Sequence, residues 1–389
     1  MTAAGEIQIE LTHRGGQASA ARIFSTRPQA ATQVLLGKTP EQLLSTVPLL
    51  FSLCGNAQSY AALLACRDAL GLDAAPEADA ARECLLQLET VREHAWRILL
   101  DWPGLLGRRP DKATLAALLK LTTRFKPCLF GDGEAFKLDS RLQIDYDLLI
   151  GLLAELNQLI DQAIFNGGMR AFQAIADETQ LADWLADNSA LSAELLHGLY
   201  RLDWRAVGRN HIRCLPALDN LSLLAHLQTQ ELSAFCAAPR WQGQCHESTP
   251  LGRQQSRPLI AALQNHYGNG LLARFAAVLR EVAEITLGLE RFGETPFEPA
   301  AAYGGDGIGL AQVPAARGLL VHRLALRNGR VYDYRIVAPT EWNFHPAGVL
   351  AQGLTALRAV DADSLRRQAE WLIQSIDPCV PYKLILNET

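Results

Sequence analysis

What most constrains this chain is a change of periodicity along it. A long helical texture, residues 40–291, sits between two stretches that alternate with period two. At the N-terminal end, "EIQIEL" alternates, "HRGG" supplies turn chemistry and "ASAARIFS" returns, which reads as a β-hairpin. Near the other end, "GLLVHRLALRNGRVYDYRIVAP" reads as a second hairpin, with Asn328-Gly329 at its turn. Between them, "TPEQLLSTVPLL" opens with a capping threonine followed by proline at the first helical position. "AQSYAALLACRDALGL" is a helix stopped by Gly71, and a long helix starts at Pro76 and stops near Pro103. Further helices are expected over 111–126, 145–176, 178–200, 257–291 and 362–375, with 301–318 as a linker. The class is α+β: one unit with an N-terminal hairpin over 1–30, a helical body over 40–295 and a C-terminal section over 315–389 made of a hairpin, a helix and an Asp-Pro-Cys tail.

The net charge of −5 and the lack of a basic run with interleaved aromatics argue against nucleic acid or an acidic membrane as partner. "MTAAGEIQIELTHRGG" has no basic segment followed by an apolar one, so no signal peptide is expected. No stretch reads as a transmembrane segment, and the expected location is the cytoplasm. The eight cysteines form no C-x-x-C pair and no zinc-finger spacing. In a cytoplasmic chain, disulfides are not expected. Cys66, Cys84, Cys214 and Cys236 read as small buried hydrophobes, whereas Cys128 and Cys245 fall in loop sequence.

Two cysteines stand apart. Cys379 closes "DPCVPY", in a turn stiffened by Pro378, and no Cys or His follows it. Any partner must come from far away. Cys54-Gly55 sits where an apolar segment meets a helix start. There the dipole and free N–H groups favour a thiolate, and the glycine permits close approach. A buried cysteine packing a helix start is the competing reading.

Taken in order, "LCGNAQ", the long helix after Pro76, "HESTPLGR", the stretch 315–346 and "SIDPCVPY" resemble the large subunit of nickel–iron hydrogenases across nearly the whole chain. In that family the metals hang between R-x-C-G-x-C-x-x-x-H and D-P-C-x-x-C-x-x-H. Here Cys54, Gly55, Asp377, Pro378 and Cys379 match. Ser52, Ala57 and Ala61 replace the Arg, second Cys and His of the first motif, and Tyr382 and Ile385 replace the second Cys and His of the other. At the family's R-x-E-G-H motif, Ala4 stands at the glutamate and Glu6 at the histidine. Each metal motif thus keeps its first cysteine and loses its second. The resemblance implies that a four-thiolate nickel–iron centre cannot assemble and that no nickel is held. Proteolytic trimming after the terminal motif is not expected either.

Other matches survive. Arg317-Gly318 keeps the family's arginine over the metals, and Pro339 and Thr340 match the segment that cradles an iron-bound cyanide. Trp342, Asn343 and Phe344 read as packing residues. The pattern resembles the HupK/HoxV-type hydrogenase expression/formation proteins, degenerate relatives of the large subunit. That implies an assembly factor and not an enzyme. Cys54 and Cys379 would hold an Fe(CN)2(CO) unit transiently, with Arg317, Pro339 and Thr340 around its cyanides. The implied partners are a maturation chaperone, the iron-loading maturation complex and the hydrogenase large-subunit precursor. Two other readings stay open: a metal-free mimic that binds chaperones or shields the immature subunit from oxygen, and a hydrogenase-like redox enzyme.

Overall fold

The computed structural model describes residues 5–26, 29–51, 54–131, 133–228, 232–292 and 306–389. Ala4 and Ser52, two of the departures noted above, lie outside the described residues. Strands β1 (Ile7–Arg14) and β2 (Gln17–Ser25) form the expected antiparallel hairpin. Alternation buries Ile7, Ile9 and Leu11 on one face of β1.

Helix α1 (Pro40–Leu50) starts as its sequence predicts, with Thr39 and Gln42 in a reciprocal capping box. Helix α2 (Gly55–Leu70) ends at Gly71, which takes the left-handed conformation a helix C-terminus favours. Helix α3 (Pro76–Trp96) runs on through a π-turn, Arg97–Asp101, to a last turn that contains Pro103. The helices Tyr146–Ile160, Glu178–Asp187, Leu191–Arg201, Pro258–Tyr267 and Leu271–Leu289 fill the expected body. Within it, β3 (Arg213–Cys214) and β4 (His246–Glu247) make a short parallel pair. The apolar stripe of Leu271–Leu289 lies at the centre of the core, against α3 and the C-terminal helix Ala362–Ile376.

Three expectations are corrected. Much of the supposed linker is strand β5 (Ile308–Ala315), paired antiparallel to β6 (Gly318–Arg327), which pairs in turn with β7 (Arg330–Val337). Its glycines misled, yet one of them is needed for packing: a Cβ at Gly309 would stand 1.9 Å from the Ala65 carbonyl of α2. The chain end is not a loose tail. It forms β8 (Tyr382–Glu388), parallel to β1, so the two termini share one sheet in the order β2-β1-β8. Finally, one helix, Tyr146–Phe165, is long and apolar enough to cross a membrane by length and composition. Its Leu149, Leu152, Leu153, Leu156 and Ile160 stripe is buried in this fold.

The cysteines of the body sort by packing. Cys66 and Cys84 are buried, and Cys214 and Cys236 are half-buried. Cys128 is on the short helix Phe125–Phe130 and not in a loop; its thiol donates to the Asp145 carbonyl at 3.3 Å. Cys245 is buried with its sulfur 3.4 Å from Nδ1 of His345.

Candidate functional site

Cys54 occupies the residue before α2, and its side chain caps nothing. The N–H groups that would favour a thiolate there are already taken. Glu89 of α3 accepts from the Asn56 and Ala57 N–H groups at 2.8 and 2.9 Å. Burial, with the nearby Glu89 and Cys379, pushes the Cys54 thiol up to about 12, against the pull of Arg317 and Gln58. In the metal-free protein the helix start therefore does not generate a thiolate, contrary to the sequence argument. The position of Gly55 is also open: among the described residues a Cβ there would meet nothing within 4 Å.

The opposite wall is the end of the helix Ala362–Ile376. Asp377 terminates it with φ +62°, a left-handed conformation that aspartate tolerates better than most residues. The reversal, followed by the fixed φ of Pro378, aims Cys379 inward. Arg97 fastens the turn by donating to the Pro378 carbonyl at 2.6 Å, and β8 holds it from the far side. Thr340 lies in the helix Pro339–Asn343, which Pro339 opens, and its hydroxyl stands 2.9 Å from the Cys379 sulfur.

Arg317 lies between the two walls, 6% exposed. It donates to Glu93 at 3.1 Å and pairs with Asp377, Nε to Oδ2, at 3.1 Å. Its Nη2 makes no hydrogen bond among the described residues. Burial opposes its charge, but Asp377, Glu93, Cys379 and Cys54 together raise its affinity for the proton. Both thiols therefore lie in the electrostatic neighbourhood of one guanidinium, though they are 325 positions apart in the chain.

Asn343, read above as packing, is a clamp. It donates to the Arg317 and Ser248 carbonyls at 3.0 and 3.1 Å and accepts from the Ser248 N–H at 2.7 Å. Trp342 and Phe344 are buried as expected. Gly318, at φ +138°, lets β6 touch the residue 248 backbone; a Cβ there would stand 1.7 Å from the Ser248 carbonyl. Arg253 donates to the Ala316 carbonyl at 2.7 Å and to both oxygens of Glu281, which His94 contacts at 2.8 Å. Glu89, Glu93 and Arg97 escaped the sequence reading. Their signal was present: charged residues at i, i+4 and i+8 along one face of α3 and into the π-turn that continues it.

The positions that depart from the hydrogenase motifs are filled by packing. Ala57 and Ala61 are buried on α2, while Tyr382 and Ile385 pair with Ile7 and Glu10 across the terminal sheet. Among the described residues, no group of three or more His, Cys, Asp or Glu side chains is placed to hold a metal ion.

This architecture is that of a nickel–iron hydrogenase large subunit. The Ni-Fe-Se hydrogenase of D. vulgaris Hildenborough superposes with a TM-score of 0.69 over 94% of each chain at 16% identity. The Ni-Fe-Se hydrogenase of Desulfomicrobium baculatum gives 0.62 over 95% of each chain at 14% identity. A family model described as nickel-dependent hydrogenase matches residues 247–381.

The sequence relatives are more specific. The hydrogenase expression/formation protein HupV of Azotobacter chroococcum mcd 1 is 31% identical over 98% of each chain. HoxV of Cupriavidus necator is 31% identical over 100% of this chain and 98% of its own. HupK of Azotobacter vinelandii is 30% identical over 98% of each chain. The chain belongs to this family of hydrogenase expression/formation proteins.

Proposed function

We propose that the protein is a scaffold in hydrogenase maturation that holds an Fe(CN)2(CO) unit between Cys54 and Cys379 before its transfer to a hydrogenase large subunit. The observation that carries this reading is the convergence of two thiols from opposite ends of the chain on Arg317, beside the Thr340 hydroxyl. The donor set suits such a cargo. Low-spin iron already carrying three strong ligands needs only a few soft donors from the protein. Nη2 of Arg317, without a hydrogen bond among the described residues, and the Thr340 hydroxyl are donors that an iron-bound cyanide would accept from. Ala57 and Tyr382 stand where bridging thiolates would be, which favours release of the unit over its burial in a nickel–iron centre, and scaffolding over catalysis. The partners in this reading are a maturation chaperone and iron-loading complex upstream and the large-subunit precursor downstream, all in the cytoplasm.

The test is an infrared spectrum of protein co-produced with maturation factors and isolated without oxygen. Cyanide and carbonyl stretching bands are expected. Cys54→Ala and Cys379→Ala should abolish them, while Cys66→Ala keeps them. A wild-type protein without bands, yet still co-purifying with maturation proteins, would favour a metal-free mimic of the large subunit. Hydrogen uptake by the purified protein would make it an enzyme.

A further inference from the structure

The terminal sheet β2-β1-β8 has two edges, and the fold treats them differently. The β2 edge is covered where it begins: the Ala18 N–H donates to the Leu357 carbonyl, and Arg358 donates to the Ala18 carbonyl at 3.0 Å. Ile23, further along, is buried. The β8 edge is bare. The Ile7 N–H donates to the Pro381 carbonyl and the Thr389 N–H to the His13 carbonyl, so the odd-numbered residues of β8 bond to β1. Tyr382, Leu384, Leu386 and Glu388 therefore point their N–H and C=O groups away from the sheet. Among the described residues these groups have no partner.

An edge of this kind accepts another strand unless a proline, a bulge or a cover blunts it. Between Tyr382 and Glu388 there is no proline, and the pairing runs without a shift from Ile7↔Tyr382 to His13↔Glu388. The middle of the strand, Leu384, Ile385 and Leu386, is apolar and only half-buried. Lys383 and Glu388 are its only charges.

The strand itself names its occupant. Laid antiparallel beside its own copy in full overlap, β8 sets Ile385 against Ile385, Leu384 against Leu386, Lys383 against Asn387 and Tyr382 against Glu388. The parity fits. Each outward-facing residue meets another, so the free N–H and C=O groups of Tyr382, Leu384, Leu386 and Glu388 all find partners. No like charges are opposed, and the Glu388 carboxylate meets a phenol that can donate to it. A slip of one residue would set outward-facing groups against inward-facing ones.

We propose that β8 is a self-association edge: two copies of this chain pair there antiparallel, on a two-fold axis through Ile385, and join their terminal sheets into one. Such an interface is isologous and closed, so it stops at two copies. It braces the strand that fastens each Asp-Pro-Cys turn, but it rests neither on iron nor on the scaffold reading.

Sedimentation velocity of the whole chain tests it. The wild type should sediment as a dimer at about 100 µM and dissociate on dilution. Ile385→Lys is the discriminating variant. Within one chain its neighbour on β1 is Glu10, a favourable partner for lysine, whereas across the axis two lysines would face each other. Self-association should weaken by roughly tenfold or more, with the thermal stability of the monomer retained. Ile385→Glu should weaken it too, and an equimolar mixture of the two variants should recover the dimer. Cysteines test the register. In a non-hydrogen-bonded antiparallel pair the opposed Cα atoms are about 4.5 Å apart, close enough for a disulfide. Ile385→Cys should therefore give a disulfide-linked dimer under mild oxidation, and Lys383→Cys, which faces Asn387, should not. A wild type that stays monomeric at that concentration overturns the proposal. So does an Ile385→Lys protein that dimerises as the wild type does, or equal cross-linking of the two cysteine variants. Should Ile385→Lys fail to fold, the cysteine variants decide alone.

Discussion

Removing the Arg317 guanidinium should destabilise the protein by a predictable amount, with a pH dependence that a mere packing loss would lack. In Arg317→Ala, Glu93 and Asp377 lose a buried partner at 3.1 Å each. Breaking a buried pair from one side costs about 3–5 kcal/mol, most of it from the charge left behind. Two neighbours soften the loss. Asp377 keeps Arg97 at 2.5 Å, and Glu93 keeps the less buried Arg92 at 2.9 Å. The lower end, about 3 kcal/mol, is therefore expected, or a fall in Tm of roughly 3–6 °C for a chain of this length. Burial alone would push the Asp377 carboxyl up, but Arg317 and then Arg97 hold it below its ordinary value of 3.8. A depressed carboxylate contributes stability that is fully present above its unfolded value and fades as pH falls through the folded one. The gap between wild type and variant should thus be full at pH 7 and narrow below about pH 3.8. Thermal denaturation of the metal-free proteins across that range measures it. A gap absent at pH 7, or unchanged in acid, would refute the assignment. Arg317→Lys should recover part of the stability; where iron is bound, its cyanide bands should still shift, because the planar fork is gone.

Two further outcomes follow from the site. Because burial, Glu89 and Cys379 push the Cys54 thiol up to about 12, binding a thiophilic ion must displace its proton at neutral pH. Cadmium affinity of the metal-free protein, measured by calorimetry, should therefore rise about tenfold per pH unit for each proton displaced, and Cys54→Ala should flatten that slope. Gly318→Ala should prevent native folding, since its Cβ would overlap the Ser248 carbonyl at 1.7 Å, whereas Gly104→Ala, with nothing within 4 Å, should stay within about 1 kcal/mol of wild type. Soluble yield and thermal melting of the two variants check the contrast.

The local signals in the chain were legible because each rests on a short-range rule. Thr39-Pro40, Gly71, Pro76 and Asn328-Gly329 mark boundaries within one residue of where the elements begin, turn or end. What escaped depends on partners far away. Glycines at 304, 305, 307 and 309 read as linker, and only the close approach of α2 explains why a strand carries one of them. The end of the chain looked like a tail because β8 has no hairpin partner; its neighbour is β1, from the opposite terminus.

The same distinction governs the site. The motif residues Cys54, Arg317, Thr340, Asp377 and Cys379 could be picked out one by one, but the forces that hold them could not. A thiol at a helix start reads as activated until Glu89, from another helix, is found occupying the N–H groups that would have activated it. An arginine reads as a lone donor until Glu93 and Asp377 appear on either side of it. Those carboxylates fix the position of Arg317, whose Nη2 makes no hydrogen bond among the described residues, while Asn343 holds its backbone to residue 248. The result is a rigid cation between two thiols, each on a wall fastened independently: α2 by Glu89, the Asp-Pro-Cys turn by Arg97 and β8. On the scaffold reading proposed above, preset walls and few protein donors would suit cargo that brings most of its own ligands, and its release would break only two sulfur bonds.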